Sequence, residues 1–439
     1  MEAQATDTGL PDNRRLTRFF IPLAIQAASQ AFCYPLVAMV ASRGPGGPLN
    51  LAGLAQSNTV MFFLGIFAIS LVTTGMVFAR SREGYRQFYR VTLAAGGIVS
   101  GLQALLCLPW LSHLLFGRLI GLPLSIEAPA QVTLLASVPL QFLFFSRIPY
   151  FVVMYIGKAT GVASLATIGR VLFTAVLSPL FCAAELVGPV WAVVALTLPV
   201  GLEALVSRVA AGPFLEKLMP SGTRPPSLKE IFWFNLPLSA GGCLLSLASM
   251  ILAAFIARAA DPERVLPVYY LALGLANPVA FAASRVQTIV LVFPPAHPKD
   301  RQTLRFTLWA GTILGMLPLA FLAPGLAELY YVRLQNLNPA ELNLARLSAA
   351  SLMFFPLATG LRGQSEGLAA WLKRPAAVVQ GHAMFLVAIF ATGVSALALE
   401  LPGQFIGAAG LTLGSLTSSL TIRLLLKRDH TGRGAPPAG

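Results

Sequence analysis

Six charged residues fall deep inside long apolar stretches of this sequence: Arg147, Arg170, Arg285 and Arg362, with Glu203 and Glu366. A charge held in hydrocarbon is costly, so each is a functional candidate by default. Arginine offers a planar fork of donors suited to carboxylate or phosphate, so an arginine-lined cavity with few acids favours anions. Arg147 and Arg362 form the foremost pair, expected at one depth on equivalent helices and facing each other across a central cavity; the alternative is that these arginines pair with helix-terminal carbonyls or with Glu203 or Glu366. Glu366 follows Arg362 by four residues, one helical turn, which also allows a local ion pair. Glu203 has no charged mate in the internal repeat described below. Both acids are candidates for coupling to H+ or Na+. Gln26, Ser29, Gln30, Asn58 and Thr59 could line the same cavity, or simply hold helices together by hydrogen bonds. Asn277-Pro278 is expected to kink a helix and free backbone carbonyls near the substrate path.

The elements that must position these residues are transmembrane helices. Of 439 residues, 56% are hydrophobic and 11% charged, with a mean hydropathy of +0.73. That exceeds what a soluble core of this length requires. A spanning helix needs about 20 apolar residues, and twelve stretches provide them: 16–42, 50–79, 90–116, 128–156, 160–184, 188–212, 229–258, 264–294, 302–330, 342–371, 375–399 and 404–427. Backbone groups in lipid must be paired internally, and these stretches are too long and continuously apolar for barrel strands. Arg14, Arg15 and Arg18 precede a first span too long for a signal-peptide core, so no cleaved leader is expected.

The charges also repeat. A shift of 215 positions places Arg43 on Arg258, Arg86 on Arg301, Arg90 on Arg305, Arg118 on Arg333, Arg147 on Arg362, Lys158 on Lys373 and Arg208 on Arg423. Ten Lys/Arg lie between residues 22 and 213 and fourteen between 237 and 428. Chance placement would give less than one coincidence, and seven occur without a gap. Glu185 and Pro22 likewise fall on Glu400 and Pro237. The chain is therefore a duplicated unit. The predicted fold is an all-α polytopic membrane protein, with twelve transmembrane helices in two parallel six-helix repeats around a shared site.

With both termini on the cytoplasmic side, twenty-one Lys/Arg face the cytoplasm and six (Arg43, Arg118, Arg258, Arg264, Arg333 and Arg346) the opposite side. This positive-inside bias predicts a multi-pass protein of the cytoplasmic membrane. It also accounts for most of the net charge of +14, so anionic lipid headgroups suffice as partners and no nucleic acid is implied. The expected organisation is a tail (1–15), a first bundle (16–212), a Pro-rich cytoplasmic linker (213–228), a second bundle (229–428) and a tail (429–439). Lys158 and Lys373 are expected to anchor cytoplasmic helix ends. Cys33, Cys107, Cys182 and Cys243 lie within spans without CxxC spacing and read as packing residues. Asp7, Asp12, Asp261, Asp300 and Asp429 all lie in tails or loops, so no Asp cluster can hold Mg²⁺ over a pyrophosphate. The four histidines, His113, His297, His382 and His430, read as isolated, and no Walker motif appears. No catalysis and no cofactor are expected.

The opening Leu16-x-Arg18-Phe19-x-x-Pro22-Leu23-x-Ile25 resembles the first helix of the progressive ankylosis protein family. The tenth span is similar too: Phe354-Phe355-Pro356, then Arg362, Gly367 and Lys373-Arg374. Gly410, Leu411, Gly414, Ser415 and Leu416 in the twelfth resemble it more loosely. That family belongs to the multidrug/oligosaccharidyl-lipid/polysaccharide exporter superfamily. The resemblance implies two six-helix bundles in a V shape and export of an anion such as pyrophosphate, nucleoside triphosphate or citrate. Within the same superfamily, lipid-linked oligosaccharide flippases are the alternative, because cavity arginines also suit a pyrophosphate headgroup. Multidrug antiporters usually carry an acid in the first or seventh helix, and residues 19–42 and 231–257 contain none. A major facilitator would carry a Gly-x-x-x-Asp-Arg-x-Gly-Arg-Arg loop, where this chain reads Arg80-Ser81-Arg82-Glu83-Gly84-Tyr85-Arg86. A scaffold or receptor would have no need of intramembrane arginines.

Overall fold

A computed structural model describes residues 13–157, 159–220, 224–293, 295, 301–372 and 374–432. Every described element is helical, and no strand occurs among the described residues. Proline at the first turn, where the missing N–H costs nothing, opens the helices that begin at Pro48, Pro109, Pro189, Pro262 and Pro375. Leu228–Ala257 starts instead from a capping box: Ser227 accepts from the Glu230 N–H, and the Glu230 carboxylate accepts from the Ser227 N–H.

The helices fall into twelve successive segments. The first six are Asn13–Ser42, Pro48–Phe78, Arg82–Leu106, 124–156, Thr160–Ala183 and Pro189–Glu216. The last six are Leu228–Ala257, Pro262–Leu291, Gln302–Leu322, Pro339–Trp371, Pro375–Ala398 and Gly403–Gly432. Among the described residues, nine are long and apolar enough to cross a membrane, or ten when the bent third segment is included. The third and ninth depart from expectation. The chain turns by 81° between Arg82–Leu106 and Pro109–Ile120 instead of continuing straight to residue 116. The ninth segment ends at Leu322, before Pro324, rather than at residue 330. In both places a proline stops the helix, and the chain continues into a π-helical turn, Leu114–Ile120 and Glu328–Leu334.

These turns are equivalent under the 215-residue offset, and so are the backbone's unusual dihedrals. Gly46 (φ 101°) matches Asp261 (φ 50°), Gly121 (φ 82°) matches Asn336 (φ 55°), and Glu185 (φ 59°) matches Glu400 (φ 51°). Left-handed conformations at non-glycine residues are uncommon, so three matches show that the fold itself repeats.

The halves meet along two pairs of segments, the first against the eighth and the second against the seventh. On the side that carries the start of the first segment, Ser70 and Ser239 hydroxyls lie 2.6 Å apart and Thr74 donates to Asn235 Oδ1 at 2.7 Å. Leu16, Phe20 and Ala24 pack there against Ala282, Ile289 and Phe306. On the far side, Arg43 donates to the Arg333 carbonyl at 3.0 Å. Its repeat counterpart Arg258 donates to the carbonyls of Ile120 (2.5 Å), Leu119 (3.0 Å) and Arg118 (3.3 Å). Each half thus clasps the π-helical turn of the other through equivalent arginines, with Arg118 and Arg333 as equivalent acceptors.

Candidate functional site

The fourth segment breaks at Arg147, between Val138–Ser146 and Ile148–Ile156, because Pro149 lacks the N–H that would continue the ladder. The break sets the guanidinium against the sixth segment, where it donates to Glu203. Arg170 of the fifth segment donates to the same carboxylate oxygen at 3.3 Å. Glu203 is fully buried, and its second oxygen and the Arg170 Nε have no protein partner. The rings of Phe144 and Phe151 lie 4.9 and 5.7 Å from the Arg147 guanidinium carbon. Cation–π contact in a dry setting strengthens that position. Two arginines and one carboxylate leave this cluster with a net positive charge.

The equivalent position in the second half is Arg362, in the helix Phe355–Trp371. Its Nε lies 3.4 Å from Glu366 Oε1, the one-turn pair the spacing allowed. His382 of the eleventh segment approaches the same oxygen at 3.0 Å, and its Nδ1 is buried without a partner. Phe385 stacks 5.1 Å from the Arg362 guanidinium. On the other side of the tenth segment, Arg423 donates to Gln364 Oε1 at 2.7 Å and to Ser365 Oγ at 3.0 Å. Both of these acceptors are uncharged.

Several expectations change. The facing pair across a central cavity is not what the side chains make: Arg147 and Arg362 each turn to an acid of their own half. Glu203 has charged mates, Arg147 and Arg170, which the repeat concealed because its counterpart is Ser418. Arg170, expected as a single candidate, joins Arg147 directly. Arg285 is exposed, at the joint between Pro262–Ser284 and Val286–Val292. The helix runs unbroken through Asn277-Pro278, so the interruption expected there occurs seven residues later, and Asn277 is half-buried. Asn58 is buried with its Oδ1 unpartnered, beside Gln56, whose amide donates to the Tyr270 hydroxyl of the opposite half at 2.8 Å. Thr59 returns its hydroxyl to the Ala55 carbonyl at 2.9 Å. His382 and His113 are not isolated, since His113 Nδ1 lies 2.8 Å from Glu127. The side chains of Gln26, Ser29 and Gln30, and residues Lys158, His297, Asp300 and Lys373, lie outside the described residues.

Sequence reasoning missed His382 and Arg423 as members of a cluster. His382 sits sixteen residues from Glu366, a separation with no helical signal, and Arg423 reads as a helix-end anchor like its counterpart Arg208. Among the described residues no group of three His, Cys, Asp or Glu side chains could hold a metal ion.

The fold has solved counterparts. An inward-facing multidrug resistance transporter of the MATE family, in the MOP superfamily, superposes with a TM-score of 0.71 at 16% identity, covering 95% of this chain and 100% of that one. The lipid II flippase MurJ, in an inward closed conformation, also reaches 0.71, at 12% identity over 93% and 87% of the two chains. A MOP superfamily transporter from Pyrococcus furiosus, described by the reverse polarity of its binding pocket, reaches 0.64 at 18% identity over 98% and 99%. No family model and no curated protein matches the sequence. The likeness is one of fold alone, and it does not reach the progressive ankylosis family.

Proposed function

We propose that this protein is a secondary transporter that moves an anionic substrate by alternating access between its two six-helix bundles (16–212 and 229–428), joined by the linker 213–228. The observation that carries the reading is the convergence of Arg147 and Arg170 on the single carboxylate of Glu203. A buried guanidinium without its own counter-ion is expensive, and an incoming carboxylate or phosphate would supply the missing charge. Arg362 holds the equivalent position in the second bundle, where Glu366 and His382 form a proton-accepting pair suited to coupling. The Pyrococcus furiosus transporter is described by a binding pocket of reverse polarity that suggests a different function, so this fold accommodates pockets of more than one polarity. Citrate, pyrophosphate and nucleotide are the substrates implied by the progressive ankylosis resemblance. The lysine and arginine distribution supports a cytoplasmic membrane location with both termini cytoplasmic. H+ or Na+ would be the coupling ion.

A lipid-linked phosphate is the second reading, favoured by a likeness to the lipid II flippase equal to that for the multidrug transporter. Flux in proteoliposomes tests both. Labelled citrate, pyrophosphate and ATP are compared with a fluorescent lipid-linked pyrophosphate, for the natural protein and for Arg170→Ala and Arg362→Ala. Soluble-anion flux lost in the variants is the expected result. Lipid movement without soluble-anion flux would make the protein a flippase, and undiminished anion flux in both variants would overturn the site.

A further inference from the structure

The second and seventh segments belong to different halves and run antiparallel across the near side, the side that carries the start of the first segment. Ser70 meets Ser239, and one turn further along the second segment Thr74 meets Asn235, one turn back along the seventh. The two serine hydroxyls lie 2.6 Å apart, and Thr74 donates to Asn235 Oδ1 at 2.7 Å. The Asn235 amide in turn donates to Ser239 Oγ at 3.2 Å and to the Phe67 carbonyl of the second segment at 3.3 Å. All four side chains are buried, Thr74 and Asn235 completely. None carries a charge, so this run is a seam of neutral hydrogen bonds between the halves.

The duplication supplies a twin seam for comparison. The 215-residue offset takes Thr74 to Ile289, Asn235 to Phe20 and Ser239 to Ala24, which lie where the first segment meets the eighth. Ser70 falls on Arg285, which is exposed. Phe20, Ala24 and Ile289 are buried in one hydrophobic cluster with Ala282, Val286 and Phe306, and Phe20 meets the Phe306 ring edge-on at 5.5 Å. At equivalent positions, one seam is therefore hydrocarbon and the other hydroxyl and amide. A seam in this fold does not need polar residues in order to close, since the twin closes without them.

The two seams differ in what opening them costs. Parting the first segment from the eighth would bring Phe20, Ala24 and Ile289 into water, the unfavourable direction of the hydrophobic effect. Parting the second from the seventh lets each hydroxyl and the amide exchange a protein partner for water, and such exchanges change the free energy little. Phe78 lies edge-on against Phe234 at 5.2 Å at the mouth of the seam, and Phe67 lies beside Phe232 at 5.6 Å, so rings shield the polar run while it is closed.

We propose that the second–seventh seam is the near-side entrance, the passage along which water and a polar solute reach the interior, while the first–eighth seam stays shut there as the hydrocarbon side of the joint. Once parted, Ser70, Thr74, Ser239 and the Asn235 amide all present donors to the oxygens of a passing anion. The inference rests on the bundles moving against each other, as proposed above, but not on which cargo moves.

Single cysteines at Ser70, Ser239, Ala24 and Ile289, in the full chain with its own four cysteines replaced by alanine, test it without any substrate. Membrane vesicles that expose the near face are treated with a charged methanethiosulfonate, which reaches a thiol only through water. Ser70→Cys and Ser239→Cys should react about tenfold or more faster than Ala24→Cys and Ile289→Cys, because labelling follows the population of the open seam. The pair Ser70→Cys/Ser239→Cys can then be bridged by oxidation, because the hydroxyls it replaces already touch. The bridged pair should lose flux and regain it on reduction, whereas a bridged Ala24→Cys/Ala282→Cys pair should keep most of its flux. Equal labelling of the four positions, or undiminished flux with the second–seventh seam bridged, would overturn the proposal. Labelling confined to that seam, with no flux of any tested anion or lipid, would uphold the entrance and count against the proposed cargo instead. Serine to cysteine exchanges a single atom, so the labelling stands even if a double variant fails to fold.

Discussion

Replacing Glu203 with Gln separates an anion-binding role for the first-half cluster from a purely structural one. Glu203 is fully buried and is the only carboxylate bonded to Arg147 and Arg170 among the described residues. Gln preserves shape and one acceptor but leaves two guanidiniums uncompensated. Breaking a buried pair in this way costs about 3–5 kcal/mol, which for a bundle of this size lowers the melting temperature by roughly 6–20 °C. If the arginines also bind substrate, the variant has lost a competing carboxylate, and an external anion should take its place. A ligand at a hundredfold its dissociation constant contributes about 2.7 kcal/mol, enough to restore much of the loss. The assay is thermal unfolding in detergent across a series of citrate and pyrophosphate concentrations, with the chloride salt at matched ionic strength as control. The expected result is a large drop at low anion that citrate or pyrophosphate reverses more strongly in Glu203→Gln than in the natural protein. A variant that melts at the natural temperature, or whose loss no anion reverses, would refute the reasoning.

Three other perturbations follow from the same geometry. His382→Gln removes the imidazole that faces Glu366, with Arg362 as the other charged group in contact, so the response of anion flux in proteoliposomes to an imposed proton gradient should weaken. Arg258→Gln removes three carbonyl contacts to the opposite half where Arg43→Gln removes one, so hydrogen exchange at 114–120 should rise more in the first than exchange at 328–334 in the second. A β-carbon at Gly367 would come within 2.9 Å of the Gln287 carbonyl and of Val290, so Gly367→Leu should part the tenth segment from the eighth and abolish monodisperse protein in size-exclusion chromatography.

The duplication was legible because charges are scarce in an apolar chain, so each coincidence carries weight. It reappears in features that no hydropathy pattern contains, the left-handed residues and the paired π-helical turns. The bend after Leu106 was not legible, because an apolar segment has the same composition whether it crosses a bilayer or folds back along its surface. Pro109 was the available signal, and it stands within an apolar stretch much as Pro199 does inside an unbroken helix. The intramembrane charges were legible as candidates, and pairing with Glu203 or Glu366 as the alternative to a facing pair, but not which arginines would meet Glu203. Pairing of Arg147 with Glu203 depends on how the fourth and sixth segments pack, and nothing in a fifty-six-residue separation fixes that. Arg362 with Glu366 is the contrary case, a local pair that one helical turn makes visible.

The two clusters share an arginine, a carboxylate and aromatic contact but differ in the third charged or titratable group, and on the proposed function that difference would give them separate tasks. The offset takes Arg170 to Phe385, Phe151 to Glu366 and Glu203 to Ser418, so each half surrounds its arginine with a carboxylate and aromatic rings drawn from non-equivalent positions. The first half sets two guanidiniums on one acid. In the second half one guanidinium faces one acid, and the third group is an imidazole, whose charge depends on proton supply. A carrier that holds an anion in one bundle and a proton in the other can link their movements, because the bundles move against each other rather than within themselves. Protonation of His382 would tighten its hold on Glu366 and loosen Arg362, changing the charge that the second bundle presents to an anion held by the first. On the proposed function, two identical clusters would leave neither half able to tell an anionic substrate from a coupling ion.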